Sequence, residues 1–126
     1  MNRPEETLHK AVVQLLKLDG AEGVIWYHPA NGEVRSARTG ARLKLMGVRP
    51  GVADLALVLP GGVAAFLELK APKGRMSPAQ KDFRDACAAN ATRYATVHSF
   101  DEAQAVLAGW GALAGKATGF REVKFQ

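Results

Sequence analysis

Between Gly51 and Pro72 the chain reads GVADLALVLPGGVAAFLELKAP. Two apolar runs flank Pro60-Gly61-Gly62, and this combination commits the middle of the chain to a β-hairpin. Leu55 to Leu59 is apolar at every position, which suits an interior strand covered on both faces. The return strand carries Glu68 and Lys70 among Phe66, Leu67 and Leu69. Side chains alternate along a strand, so Phe66, Glu68 and Lys70 share one face and Leu67 and Leu69 the other. An acid and a base so placed are either an ion pair at a sheet edge or a pair displayed to a ligand.

The turn decides between these. A three-residue loop, Pro60-Gly61-Gly62, pairs Leu59 with Val63 and brings Asp54 opposite Glu68, with β-carbons about 5 Å apart. A two-residue loop at Gly61-Gly62 sends Asp54 to the other face. The first register sets like charges together, which is unfavourable unless a cation lies between them. Hard divalent ions take oxygen ligands of this kind. The expectation is that Asp54 and Glu68 converge on one cation-sized space, with Lys70 one step further along the same face.

The flanking sequence supplies helices and further strands. Pro4 suits a first helical position, with Glu5 and Glu6 in the first turn. Leu8, Ala11, Val12, Leu15 and Leu16 then recur with helical spacing until Gly20 and Gly23. VIWYH (24–28) reads as a strand, and TGARLKLMG (39–47) as a short helix closed by Gly47. Ser77, Pro78 and Gln80 form the start of a helix with a capping box, and Ser99 with Glu102 reads as a second one. YATVH (94–98) is a strand between them. The order α-β-(α)-β-β-α-β-α describes an α/β fold with a small mixed sheet flanked by helices.

At 126 residues the chain fits one domain with a real core. No apolar run approaches the roughly 20 residues of a membrane span, and the N-terminus lacks a secretory h-region. Cys87 is the only cysteine, so no internal disulfide forms and an intracellular, reducing setting is expected. The net charge of +5 leans toward a polyanionic partner, with an ordinary basic protein as the alternative. The basic residues cluster. From Val34 to Ala53 there is no acid, yet Arg35, Arg38, Arg42, Lys44 and Arg49 occur, and Lys73 and Arg75 follow the hairpin. Such segments suit phosphate contacts, or else are solvated basic loops. No recognition helix, zinc-finger spacing or RNP-like aromatic pair accompanies them, so sequence-specific readout is not expected.

The spacing Asp54-x13-Glu68-x-Lys70 resembles the PD-(D/E)xK nuclease superfamily, and within it the virus-type replication-repair nuclease (VRR-NUC) domain. Four further pieces carry the resemblance. Glu5 to His9 matches a helical E-x-x-[LI]-[QH], Asn31-Gly32 an Asn-Gly after the first strand, and Gly51 to Asp54 a G-x-x-D turn. ELKAPKGRMSPAQ (68–80) matches the E-x-K strand, basic loop and S-x-x-Q helix start. One departure is Ala53, where the superfamily usually has proline; it removes a rigid turn but no ligand. The resemblance implies a restriction-endonuclease-like core over residues 1–110, followed by a tail (111–126).

It also implies roles. Asp54 and Glu68 are expected to hold Mg²⁺ or Mn²⁺ with the Leu69 carbonyl, and Glu5 to reach the ion from the first helix. Lys70 is expected to orient or activate the attacking water, and Gln80 to approach from its helix start. The helical wheel favours Glu5 over Glu6: they lie about 55° and about 155° from the centre of the apolar face. The implied reaction is metal-assisted hydrolysis of a phosphodiester. Asn31, Arg35, Arg38, Arg42, Lys44, Arg49, Lys73 and Arg75 are the expected DNA contacts. The implied protein is a structure-selective DNA endonuclease, cytoplasmic and of phage or prophage type, with branched or four-way-junction (Holliday junction) DNA as substrate. A homodimer is expected, with segments 29–47 and 111–126 as candidates to cross to the partner. A non-catalytic DNA-binding module and an RNA-directed nuclease are the alternatives. His9 and His98 read as structural, and so does His28, with a substrate contact as its alternative. Cys87 reads as a buried thiol, and Trp26 and Trp110 as core.

Overall fold

The computed structural model describes residues 3–30 and 37–116. The hairpin is its centre. Strands β2 (Leu55–Leu59) and β3 (Val63–Leu69) pair antiparallel with Leu59 opposite Val63 and Leu55 opposite Leu67, the three-residue register. Gly61 and Gly62 both take positive φ, 91° and 81°, which glycine adopts without penalty. β1 (Ile25–Tyr27) adds antiparallel to β2, and β4 (Arg93–Val97) adds parallel to β3. The sheet order among the described residues is β1-β2-β3-β4, so the continuously apolar β2 is interior, as its composition requires.

Helices cover both faces. α1 (Arg3–Asp19) and α4 (Phe100–Gly109) pack on one face, where Val12, Leu15 and Leu16 meet Leu55, Leu57, Leu67, Leu69 and Leu107. Fully burying each of these leucines stabilises the fold by about 1.5–3 kcal/mol. α3 (Pro78–Ala89) covers the other face, where Phe83 and Cys87 pack on Ala53, Phe66 and Tyr94. The α/β architecture with its small mixed sheet agrees with the expected fold class. α2 (Ala37–Leu45) buries none of its residues, and Leu45 and Met46 beside it are exposed.

Several boundaries differ from expectation. β1 covers Ile25–Tyr27, not 24–28, because His28 turns out of the ladder and its ring bonds the Asp54 carbonyl. β4 covers Arg93–Val97, not 94–98, because the His98 N–H is taken by the Glu102 carboxylate at 2.6 Å. The same bond corrects the second capping box. The Ser99 side chain accepts from the Glu102 N–H, but Glu102 reaches back to His98, not to Ser99. The first capping box, Ser77 with Gln80, is complete. Gly111 to Lys116 returns to the end of α1. There the Ala114 N–H donates to the Asp19 carbonyl and the Lys116 N–H to the Asp19 carboxylate, both at 2.7 Å.

Candidate active site

Asp54 ends the turn that leads into β2, Glu68 lies at the far end of β3, and Lys70 follows its last residue. The register therefore brings all three to one end of the hairpin. The Asp54 N–H donates to Glu68 Oε1 at 3.1 Å, and the Leu69 N–H donates to Asp54 Oδ2 at 2.8 Å. Lys70 Nζ lies 3.5 Å from Glu68 Oε2. Glu68 and Lys70 are both buried, an uncommon state for either residue type.

Gln80 links the two. Its Nε2 donates to Glu68 Oε2 at 2.8 Å, and its Oε1 accepts from Lys70 Nζ at 2.8 Å. The same Oε1 accepts from the Ser77 N–H, which closes the capping box. The approach of α3 to the hairpin depends on Gly51. Its φ is +79°, and a β-carbon there would lie 2.2 Å from the Ala79 carbonyl oxygen. A glycine is thus required both by conformation and by space, which accounts for the glycine of the G-x-x-D turn. Ala53, where the superfamily usually has proline, is buried with Phe83 and Cys87.

The charge balance of this pocket is unusual. Burial, then the neighbouring Asp54 carboxylate, push the Glu68 carboxyl from its ordinary 4.5 up to about 8, and Lys70 offsets this only in part. The Asp54 charge thus opposes ionisation of the buried Glu68 carboxyl. A divalent cation would relieve this, and the donors fit one: carboxylate oxygens from Asp54 and Glu68 with the Leu69 backbone alongside.

The other expected residues are distributed as follows. Glu5 is half-buried and its Oε1 accepts from the Ala71 N–H at 3.4 Å, so α1 contacts the turn after β3. Glu6 is exposed and pairs with Lys10 at 2.9 Å, as the helical wheel anticipates. Arg38, Arg42 and Lys44 are exposed on or beside α2, and Lys73 and Arg75 are exposed on the loop between β3 and α3. Arg49 is exposed too, with its guanidinium 5.3 Å from the Phe83 ring centre, a stacking contact. Asn31 and Arg35 lie outside the described residues, as does the Asn31-Gly32 turn.

Two residues that read as structural in the sequence come to the same place. His9 on α1 and His28 after β1 approach Asp54, so that one ligand atom of each lies within 4.8 Å of the others. Burial and the nearby His28 ring hold the His9 imidazole below its ordinary pKa, against the pull of Asp54. The signal for His9 was its place four residues after Glu5, on the same helical face. Nothing local in the sequence distinguishes His28. His98 lies elsewhere, 3.9 Å from the Glu102 carboxylate.

Comparison with known proteins agrees with this fold. Among solved structures that share the fold are two that are both under 20% identical to this chain. A "VRR_NUC domain protein" aligns with TM-score 0.70 at 18% identity, covering 87% of this chain and 89% of its own. A "VRR_NUC domain" aligns with TM-score 0.60 at 17% identity, covering 86% of this chain and 99% of its own. No curated protein matches. Among the described residues, no helix is long and apolar enough to cross a membrane. The VRR-NUC domain family matches residues 4–101, and the chain belongs to that family of nuclease-type domains.

Proposed function

We propose that this protein is a divalent-metal-dependent, structure-selective DNA endonuclease that hydrolyses phosphodiester bonds in branched or four-way-junction DNA. The observation that carries this is the meeting of Asp54, Glu68, Lys70 and Gln80 at one end of the hairpin, where the buried Glu68 carboxyl is bonded to the Asp54 N–H and to Gln80 and pairs with the buried Lys70 ammonium. In this reading Asp54, Glu68 and the Leu69 carbonyl hold Mg²⁺ or Mn²⁺, with Glu5 approaching from α1. When bound, the ion neutralises the scissile phosphate and lowers the pKa of the attacking water. Lys70 stabilises charge on the phosphoryl oxygens, which a buried ammonium does more strongly than a solvated one. Gln80 holds Lys70 and Glu68 in register, since its amide is bonded to both.

The exposed Arg38, Arg42, Lys44, Arg49, Lys73 and Arg75 are proposed to contact phosphates, as are Asn31 and Arg35. Such contacts give affinity without sequence readout. One site cuts one strand, so a symmetric junction calls for two sites about a two-fold axis, and a homodimer is the proposed assembly. The test is a cleavage panel of flap, nicked, four-way-junction and duplex DNA, with matched RNA, in Mg²⁺ and in Mn²⁺. Cleavage of branched DNA by wild type and its loss in Asp54→Asn are expected. DNA binding without cleavage in either metal overturns the enzymatic reading, and preferential cleavage of RNA overturns the substrate. Light scattering that reports a monomer both free and on a four-way junction overturns the dimer.

A further inference from the structure

We infer that His9, His28 and Asp54 form a second cation site, selective for Co²⁺ or Zn²⁺ over Mg²⁺, that shares Asp54 with the carboxylate pair. Three separate elements supply the residues: α1, the end of β1 and the turn into β2. Their ligand atoms lie within 4.8 Å of one another. Ligands bound at about 2.1 Å to a tetrahedral ion are about 3.4 Å apart, so side-chain rotations that close the set by about 1–1.5 Å complete the site.

Two details distinguish this cluster from ordinary packing. First, His28 Nδ1 is 2.6 Å from the Asp54 backbone carbonyl oxygen. A carbonyl only accepts, so Nδ1 carries a proton and Nε2 is the nitrogen left for a metal. An imidazole anchored through one nitrogen to a backbone carbonyl is the usual arrangement of a metal-bound histidine, because it fixes tautomer and ring direction. Second, His9 Nδ1 is buried and has no hydrogen-bond partner. Buried polar atoms are nearly always bonded, and the ring that carries this one lies near a carboxylate and a second imidazole. The two rings meet edge to face with centroids 4.6 Å apart.

Ligand chemistry sets the selectivity. Two neutral imidazoles and one carboxylate suit late first-row ions, whereas Mg²⁺ prefers oxygen ligands and water. Three protein ligands also leave positions open to water or a phosphate oxygen. A carboxylate shared between two ions is the arrangement of two-metal phosphodiester hydrolysis, with ions about 3.5–4 Å apart. The role of the second ion rests on the function proposed above, but its binding does not.

The test reads binding without DNA. Metal-free protein is titrated with Co²⁺, following the visible d–d absorption, and with Zn²⁺, following ¹⁵N resonances of the imidazoles. Wild type is expected to bind Co²⁺ with the His9 and His28 resonances shifting under Zn²⁺ and that of His98 unchanged. His9→Asn and His28→Ala are each expected to weaken Co²⁺ binding at least tenfold, while Glu68→Gln retains the band. A hundredfold excess of Mg²⁺ is expected to leave it in place. Should a variant prove poorly folded by circular dichroism, the wild-type imidazole shifts decide alone. Equal Co²⁺ affinity in both folded variants, unshifted His9 and His28 resonances, or displacement by Mg²⁺ would overturn the site. Failure of the nuclease reading would appear separately, as absent cleavage in a protein that still binds Co²⁺.

Discussion

Glu68→Gln should make the metal-free protein more stable at pH 8.5 and less stable at pH 4. Glu68 is held up to about 8 from an ordinary 4.5 by burial and then by Asp54. A carboxyl whose folded pKa is raised contributes stability that is full below its unfolded pKa and is lost as pH rises through the folded value. The window here is therefore about 4.5 to 8. At about 1.36 kcal/mol per pH unit, the whole loss is at most about 5 kcal/mol; we take half, since water entering the pocket screens part of it. Against this, the amide presents a donor where one of two bonded acceptors stood, facing either the Asp54 N–H or Gln80 Nε2. That mismatch costs about 1 kcal/mol at any pH. The net gain at pH 8.5 is about 1–2 kcal/mol, or roughly 3–10 °C in Tm for a domain of this size. At pH 4 only the mismatch remains and wild type leads. Thermal denaturation by circular dichroism in chelator at both pH values is the assay. A difference in Tm that does not change sign, or a wild type that is the more stable at pH 8.5, would refute the electrostatic account of the pocket.

Other perturbations probe the same pocket. Asp54→Asn should reduce cleavage of branched DNA to background while leaving affinity in a gel-shift assay within about twofold, since no basic residue is touched. Lys70→Ala should also stop turnover, yet calorimetry should find divalent-ion binding retained. Gly51→Ala should cost about 2–5 kcal/mol in urea unfolding, from the positive φ and the forced retreat of the Ala79–Gln80 peptide. Gln80→Ala should lower kcat about 10–100-fold through the misplacement of Glu68 and Lys70, with about 1 kcal/mol of stability lost at the capping box.

Much of this was legible in the sequence because the hairpin is so constrained. Once Pro60-Gly61-Gly62 forms a three-residue loop, strand alternation alone carries Asp54 to Glu68, and the observed pairing follows that register. The helix start at Ser77 was legible because caps and prolines act locally. Strand ends were less so. β1 and β4 each finish one residue before the expected position because side-chain bonds of His28 and Glu102 compete with the ladder, and such bonds depend on tertiary position. His28 was illegible for the same reason, since its approach to Asp54 exists only after β1 has paired with β2. Gly51 was recognised as part of a motif, but its cause, the Ala79 carbonyl against it, is a contact between segments far apart in the chain.

The amide of Gln80 explains a choice that helix rules leave open. At the third position of a capped helix, glutamate and glutamine serve the N-cap equally well. Here one end of the side chain must give a proton to Glu68 and the other must receive one from Lys70. A carboxylate can do only the second, and would bring a further negative charge beside Glu68, whose own ionisation the pocket already opposes. Gln80→Glu would thus start the helix properly and poison the pocket. Two codes overlap on one side chain, and the one that governs the reacting groups settles the letter.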